Sequence, residues 1–256
     1  MGESYMKSKR IYEIESFIKK NKTASIDELK DIFNVSVNTI RRDINLLVDM
    51  NVVKKVYGGI EVIEDEYKAV DYQKRNVENY QSKKHIGKLA AAHIETNDII
   101  YIDTGTTTIH VLDYVDKKLS FTIITNSLDI MNKASQFENV TLFIIGEKYK
   151  PRTRSFIGID SNILLNKFNI NKCFMAATGV NIPNGLTNSE MEENLIKQLI
   201  TKKARQTYVL ADNSKIGHST LLTYCNLSDV DKIITNKILP QEIQQFCDEN
   251  DIRVLF

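Results

Sequence analysis

The chain has 256 residues, 42% of them hydrophobic and 26% charged, a composition that excludes wholesale disorder and admits two modest domains or one large α/β domain. Its net charge of +1 argues neither for nor against nucleic acid, so charge is read locally: residues 1–60 carry eleven basic side chains against eight acidic ones. No apolar run approaches the ~20 residues that span a bilayer, the start MGESYMKSKR has no apolar signal core, and Cys173, Cys225 and Cys247 are scattered without a CxxC spacing. The expectation is a soluble, cytoplasmic chain with no membrane contact, disulfide framework, metal site or cofactor.

In chain order, Ile11, Ile14, Phe17 and Ile18 recur at helical spacing and predict a first helix, which Thr23 to Ser25 breaks. Ser25 then caps SIDELKDIFN, with Glu28 three residues on, so that each side chain satisfies the other's free backbone donor. After the Phe33-Asn34-Val35 turn, Ser36 caps a further helix, Val37 to about Asp49. Val37, Ile40, Ile44 and Leu47 form its apolar stripe, and Asn38, Arg41, Arg42 and Asn45 fall on the opposite face. Asn and Arg are the side chains suited to base edges and phosphates. VVKKVYGGIEV follows as a hairpin around Gly58-Gly59, a wing that carries Lys54 and Lys55. A lone Arg-Arg pair would be an ordinary solvated helix face. The capping box, the Ser-capped second helix and the basic hairpin together favour a winged helix-turn-helix, with Ser36, Asn38, Thr39, Arg41, Arg42, Asn45, Lys54 and Lys55 on double-stranded DNA.

Residues 63–79 are charged and poorly periodic, which makes them the linker between domains 1–62 and 80–256. A helix, SKKHIGKLAAAHIE, opens the second domain. Strand candidates follow at 98–102, 121–125, 140–145, 172–177, 207–211, 231–235 and 252–256, most of them separated by helix-period segments. That rhythm predicts an α/β domain built on a mostly parallel sheet covered on both faces. The loop after the first strand reads Asp103-Thr104-Gly105-Thr106-Thr107-Thr108, before an apolar helix. Glycine lets the backbone approach an anion, the hydroxyls donate, and the helix start offers free amides. Asn126, Thr178-Gly179 and Lys215 lie at other strand ends. In a parallel sheet these groups meet in one crevice suited to a phosphorylated polyol or keto-sugar, with Lys215 as the charge partner. The candidate effector residues are Asp103, Gly105, Thr106, Thr107, Thr108, Asn126, Thr178, Gly179 and Lys215.

SIDELKDIFNVSVNTIRRDINLLVDMNVVKKVYGGI, with TIRRD at Thr39 to Asp43, resembles the DNA-binding signature of the deoxyribose-repressor (DeoR) family. The resemblance extends over nearly all of residues 80–236 through DTGTTT, TNS, TRSFIG, GLT and LADNSK. It implies a second domain folded like ribose-5-phosphate isomerase and release from operator DNA by a phosphorylated sugar. Helix-turn-helix proteins usually bind paired half-sites, so a homo-oligomer (dimer or tetramer) is expected. NINKCFMAATG, GLTNSE and STLLTY resemble the inositol-catabolism branch, which implies 2-deoxy-5-keto-gluconate 6-phosphate as inducer, with fructose 1-phosphate as runner-up. One departure is Gly146-Glu147, where the family often has two glycines.

The rival reading is a sugar-phosphate isomerase, which needs a carboxylate base at the substrate carbon. The segment that corresponds to the isomerases' acidic strand end reads Ala177-Thr178-Gly179-Val180, without a carboxylate. Glu190, Glu192 and Glu193 open the next helix, where carboxylates usually complement the dipole. Binding without turnover is the better account, and no residue is assigned a catalytic role. His93 and His110 read as helix residues, and His218 is a weaker candidate for ligand contact.

Overall fold

A computed structural model describes residues 10, 11, 13, 14, 17, 18, 21–49, 53–62, 72–158 and 167–256. The chain divides into two compact units, Met1–Glu66 and Tyr67–Phe256. The opening residues 1–9 and the first part of the expected linker, residues 63–71, lie outside the described residues.

In the first unit, Ile14 and Ile18 are helical and buried, as their spacing predicts. Strand β1 (Thr23–Ser25) follows and leads into α1 (Ile26–Phe33). The capping box is formed: Glu28 N donates to Ser25 Oγ at 3.1 Å, and Ser25 N to Glu28 Oε2 at 3.4 Å. Asn34 ends α1 in the left-handed conformation (φ 48), and Ser36 Oγ accepts from Thr39 N at 3.2 Å as α2 (Val37–Asp49) begins. The hairpin of β2 (Val53–Val56) and β3 (Gly59–Val62) completes an antiparallel sheet of order β1-β3-β2. The segment read as a break, Thr23 to Ser25, is therefore a strand. Only its pairing with β3 reveals this, because three residues carry no periodicity of their own. A Cβ on Gly59 would lie 2.2 Å from Ala24 O, so the pairing depends on that glycine. Leu29, Ile40, Ile44, Leu47, Val53 and Ile60 close the core over Ile14 and Ile18.

In the second unit, the remainder of the expected linker carries a helix, α3 (Tyr72–Val77), followed by α4 (Tyr80–Ala91). The seven predicted strands all form. They are β4 (Ile99–Ile102), β5 (Phe121–Thr125), β6 (Val140–Ile144), β9 (Lys172–Ala176), β12 (Gln206–Leu210), β14 (Lys232–Ile234) and β15 (Arg253–Leu255). They make one parallel sheet of order β15-β14-β12-β9-β4-β5-β6. Alternate residues serve opposite faces: Ile100 and Ile102 pack with Ile86 of α4 and Ile130 of α5 (Leu128–Ala134). Tyr101 packs with Ile196 of α6 (Met191–Lys203) and is joined there by Ile243 of α7 (Gln241–Glu249).

Two antiparallel additions were not legible in the sequence. They are the hairpin β7 (Lys148–Lys150) with β8 (Ser155–Ile157), and the sheet β10 (Gly179–Asn181), β11 (Gly185–Asn188) and β13 (Leu222–Cys225). Both attach at strand C-terminal ends: Ser127 bridges to Ser155, and Thr178 N donates to Thr187 O at 2.9 Å. The expected apolar helix after Asp103-Thr108 is a six-residue 3₁₀ helix, Thr108–Asp113. It packs against α4 where a Cβ on Gly87 would come within 2.5 Å of His110 Cβ. The Gly146-Glu147 departure needs only its first glycine: Gly146 has φ 103 and abuts Phe156, while Glu147 is exposed and its amide pairs with Ile157 O.

Candidate functional site

In the first unit, the burial of Ile40, Asp43, Ile44 and Leu47 fixes how α2 is rotated. Ser36, Asn38, Arg41, Arg42 and Asn45 are consequently exposed, and Thr39 is half-buried against Ser36 Oγ. Asp43 is 1% exposed and takes Arg10 Nε at 2.6 Å, so the acid of the TIRRD string holds the first helix onto α2. Arg41 and Asn45 share one groove with Lys55, Val56 and Gly58 of the hairpin. Gly58 (φ 79) turns the hairpin and Tyr57 stands fully exposed at its tip. Lys54 is exposed too, but pairs across the strands with Glu61 at 3.2 Å. A guanidinium, an amide and an ammonium on one exposed ridge suit a duplex: Arg41 and Asn45 at base edges, Lys55 at phosphate.

In the second unit, sheet order gives the location. The chain runs outward from β4 through β5 to β6, then returns to the other side of β4 for β9. At this switch, between β4 and β9, the loops leave in opposite directions and open a crevice beyond the strand ends. One wall is Gly105, Thr106 and Thr107; the other is Ala176, Ala177 and Thr178, with Asp212 and Lys215 from the turn after β12. Gly105 is required, since a Cβ there would lie 2.6 Å from Ala176 Cβ. Arg75 and Lys83, from α3 and α4, complete the cleft.

Lys83 is 3% exposed, and its ammonium donates to Arg75 O. Burial, and then the charges of Lys215 and Arg75, push its pKa below the ordinary lysine value, against the opposing pull of Asp212. Asp212 is itself engaged, accepting from Ser214 N at 3.0 Å and from Asn79 Nδ2 at 3.1 Å. Asn79 thereby ties the start of α4 to the turn that bears Lys215. The cleft thus gathers three cations around two carboxylates, Asp212 and Glu78.

Of the predicted effector residues, Gly105, Thr106, Thr107, Thr178 and Lys215 line this cleft. The others stand behind it. Asp103 is 2% exposed, is ion-paired with the buried Lys197, and accepts from Ala176 N at 2.9 Å, clamping β4 to β9 and α6. Thr108 Oγ1 donates to Asp103 O at 2.7 Å and folds the loop back on itself. Asn126 Oδ1 accepts from Tyr101 and Thr104, at 2.8 and 2.9 Å. Gly179 lies in β10, packed against the His218 backbone, and His218 is exposed without lining the cleft. The loop leads into a six-residue 3₁₀ turn and not a long helix, so what the cleft could offer an anion is the side chains of Arg75, Lys83 and Lys215 and the loop hydroxyls, without a long helix dipole.

Arg75 and Lys83 were missed because they belong to segments read as linker and opening helix. One local signal was available: the first turn of α4 ends in Lys83, Lys84 follows directly, and the turn has no acidic residue, the arrangement that the helix dipole disfavours. Among the carboxylates at the start of α6, Glu190, the residue before the helix, meets Lys150 at 2.5 Å and Glu192 meets it at 3.1 Å. Glu193 departs from the expected role at the helix start: it is 8% exposed, turned inward, and accepts from Ser155 Oγ at 2.6 Å.

Residues 10–66 match the family model described as a DeoR-like helix-turn-helix domain, and residues 78–237 match that of the DeoR C terminal sensor domain. The chain is 46% identical to the HTH-type transcriptional regulator IolR of Bacillus subtilis, over 97% of this chain and 99% of that one. It is 29% identical to the lactose phosphotransferase system repressor of Streptococcus mutans, over 90% and 92% respectively. Among solved structures, ribose 5-phosphate isomerase A of Methanocaldococcus jannaschii overlaps 54% of this chain and 55% of its own, at 18% identity and a TM-score of 0.41. The full-length sorbitol operon regulator SorC of Klebsiella pneumoniae overlaps 92% and 97%, at 10% identity and a TM-score of 0.41.

Proposed function

The chain belongs to the DeoR family of transcriptional regulators, and on that premise we propose that it represses a carbohydrate or polyol catabolic operon and leaves its operator when a phosphorylated sugar binds. The observation that carries this reading is the convergence of Arg75, Lys83 and Lys215 on the cleft at the sheet's switch point. The three cations outnumber the two carboxylates of the cleft, Asp212 and Glu78, by one, and that excess of positive charge favours an anion. The 46% identity to IolR supports the inositol-catabolism branch. The inducer proposed for it is 2-deoxy-5-keto-gluconate 6-phosphate, ahead of fructose 1-phosphate. The regulator works in the cytoplasm as a dimer or tetramer, presenting paired α2 helices to half-sites about one helical turn, or a multiple, apart. It does not turn its ligand over: Ala177-Thr178-Gly179 offers no carboxylate base, and the relatives are named as regulators.

The test is a gel shift on the chain's own upstream DNA with a panel of sugar phosphates. The inositol-derived compound releases the wild-type complex; release only by another sugar phosphate defeats the branch assignment, and tighter DNA binding reverses the sign of regulation. Lys215→Ala binds DNA normally and ignores inducer. A folded Lys215→Ala protein that loses both activities contradicts the division between the two units.

A further inference from the structure

Past Ala176, Ala177 and Thr178 the cleft continues into a second hollow, with Arg75 on the wall common to both. Thr104, Thr153, Asn188, Glu193 and Lys197 line it. Lys197 is committed elsewhere: it pairs with Asp103, donates to Ala176 O at 3.0 Å, and lies 5.2 Å from the Tyr224 ring centre. Glu193 accepts from Ser155 Oγ at 2.6 Å, with Thr153 2.7 Å beyond Ser155, and it feels the charge of Lys197, but among the described residues it makes no salt bridge. A carboxyl buried without an ion pair of its own is costly, and a glutamine or an apolar residue would pack there at less expense.

Resting on the reading of the first hollow as the phosphate site, we infer that the second hollow is the subsite for the effector's carbon chain. There Glu193 hydrogen-bonds a carbonyl or hydroxyl oxygen of a phosphorylated keto-polyol and so distinguishes it from bare phosphate. Arg75, shared by both hollows, stands where the phosphate joins the chain.

Burial raises the Glu193 pKa above the ordinary carboxyl value, and the Asp103 carboxylate raises it further. Lys197, Ser155 and Thr153 pull it back without cancelling the rise. The other charged groups on this hollow are Arg75 from α3 and Glu190, which is held by Lys150. Glu193 therefore keeps its proton to higher pH than an exposed glutamate and, while protonated, donates to a ligand oxygen. Donation ends as pH rises through that raised pKa.

The experiment measures dissociation constants of the full chain for inorganic phosphate and for whichever of 2-deoxy-5-keto-gluconate 6-phosphate and fructose 1-phosphate binds more tightly. Glu193→Ala weakens the sugar phosphate roughly tenfold, the cost of one lost buried hydrogen bond, and leaves inorganic phosphate and DNA binding unchanged. Glu193→Gln, which keeps a neutral donor on the same frame, holds sugar-phosphate affinity within about threefold. It also removes the part of the wild-type loss on raising pH that inorganic phosphate does not share. Equal losses for both ligands, or no loss for either, overturn the subsite even if the phosphate site stands. Failure of the wild type to bind any of these compounds defeats the phosphate-site reading and the subsite with it.

Discussion

Asp103 illustrates how much work one carboxylate does inside this molecule. It holds Lys197 and the Ala176 amide together, with both side chains under 5% exposed. Asp103→Asn leaves the ammonium buried and uncompensated, at a cost of about 3–5 kcal/mol. Thermal unfolding will show the second unit destabilised with no ligand present. An unchanged melting temperature, with only effector binding lost, would put Asp103 back on the ligand. On the DNA side, Arg41→Ala and Lys55→Ala differ in kind. Arg41→Ala lowers preference for the operator over other DNA by about 1–3 kcal/mol, the worth of a bidentate base contact. Lys55→Ala weakens all sequences alike and lowers the slope of log affinity against log salt by about one. Lys54 already neutralises Glu61, so Lys54→Ala changes that slope less. Equal slopes for the two lysine variants would show that the Lys54–Glu61 pair opens on DNA.

The contact between α4 and the 3₁₀ helix Thr108–Asp113 is the element that brings Lys83 to the cleft. His110 anchors it: Nδ1 lies 2.7 Å from Asp113 Oδ2, the ring meets Tyr80 edge-on, and Nε2 is buried without a partner. Burial lowers the His110 pKa, and Asp113 only partly restores it. The sign follows from linkage. The unfolded chain takes up a proton near the ordinary value of 6.5, before the folded chain does, so stability falls as pH drops through that range. Unfolding followed from pH 7 to pH 5 shows this loss. His110→Asn, whose amide keeps the bond to Asp113 but cannot charge, loses less; the same loss in both proteins removes His110 as the cause.

For the whole molecule, regulation is a coupling free energy between two units joined through residues 63–71. If effector weakens operator affinity by some factor, operator must weaken effector affinity by the same factor. Titrating effector against free and operator-bound protein checks this equality, and an effector affinity indifferent to DNA would break the proposed link between the units. A ligand bound equally well by both states would release nothing, however tightly it bound.

What the sequence alone determined is local. The capping box at Ser25 and Glu28, the stripe that turns Arg41 and Asn45 outward, and the seven apolar runs that become one parallel sheet all rest on neighbours a few residues apart. Periodicity and capping are short-range physics, and they survive without knowledge of the fold. Tertiary structure alone decided which polar groups face the cleft. Asp103 and Lys197 are 94 residues apart, and their pairing keeps the first out of the cleft wall. Glu193 belongs to a helix start that ordinarily faces water, and only the approach of the β7–β8 hairpin, through Ser155, turns it inward. Arg75 and Lys83 reach the cleft because the chain crosses back over β4 before adding β9, and strand order across a sheet leaves no trace in any one segment. A chain reports what each residue prefers, but a binding site is made by the long-range contacts that choose which preferences are spent on structure.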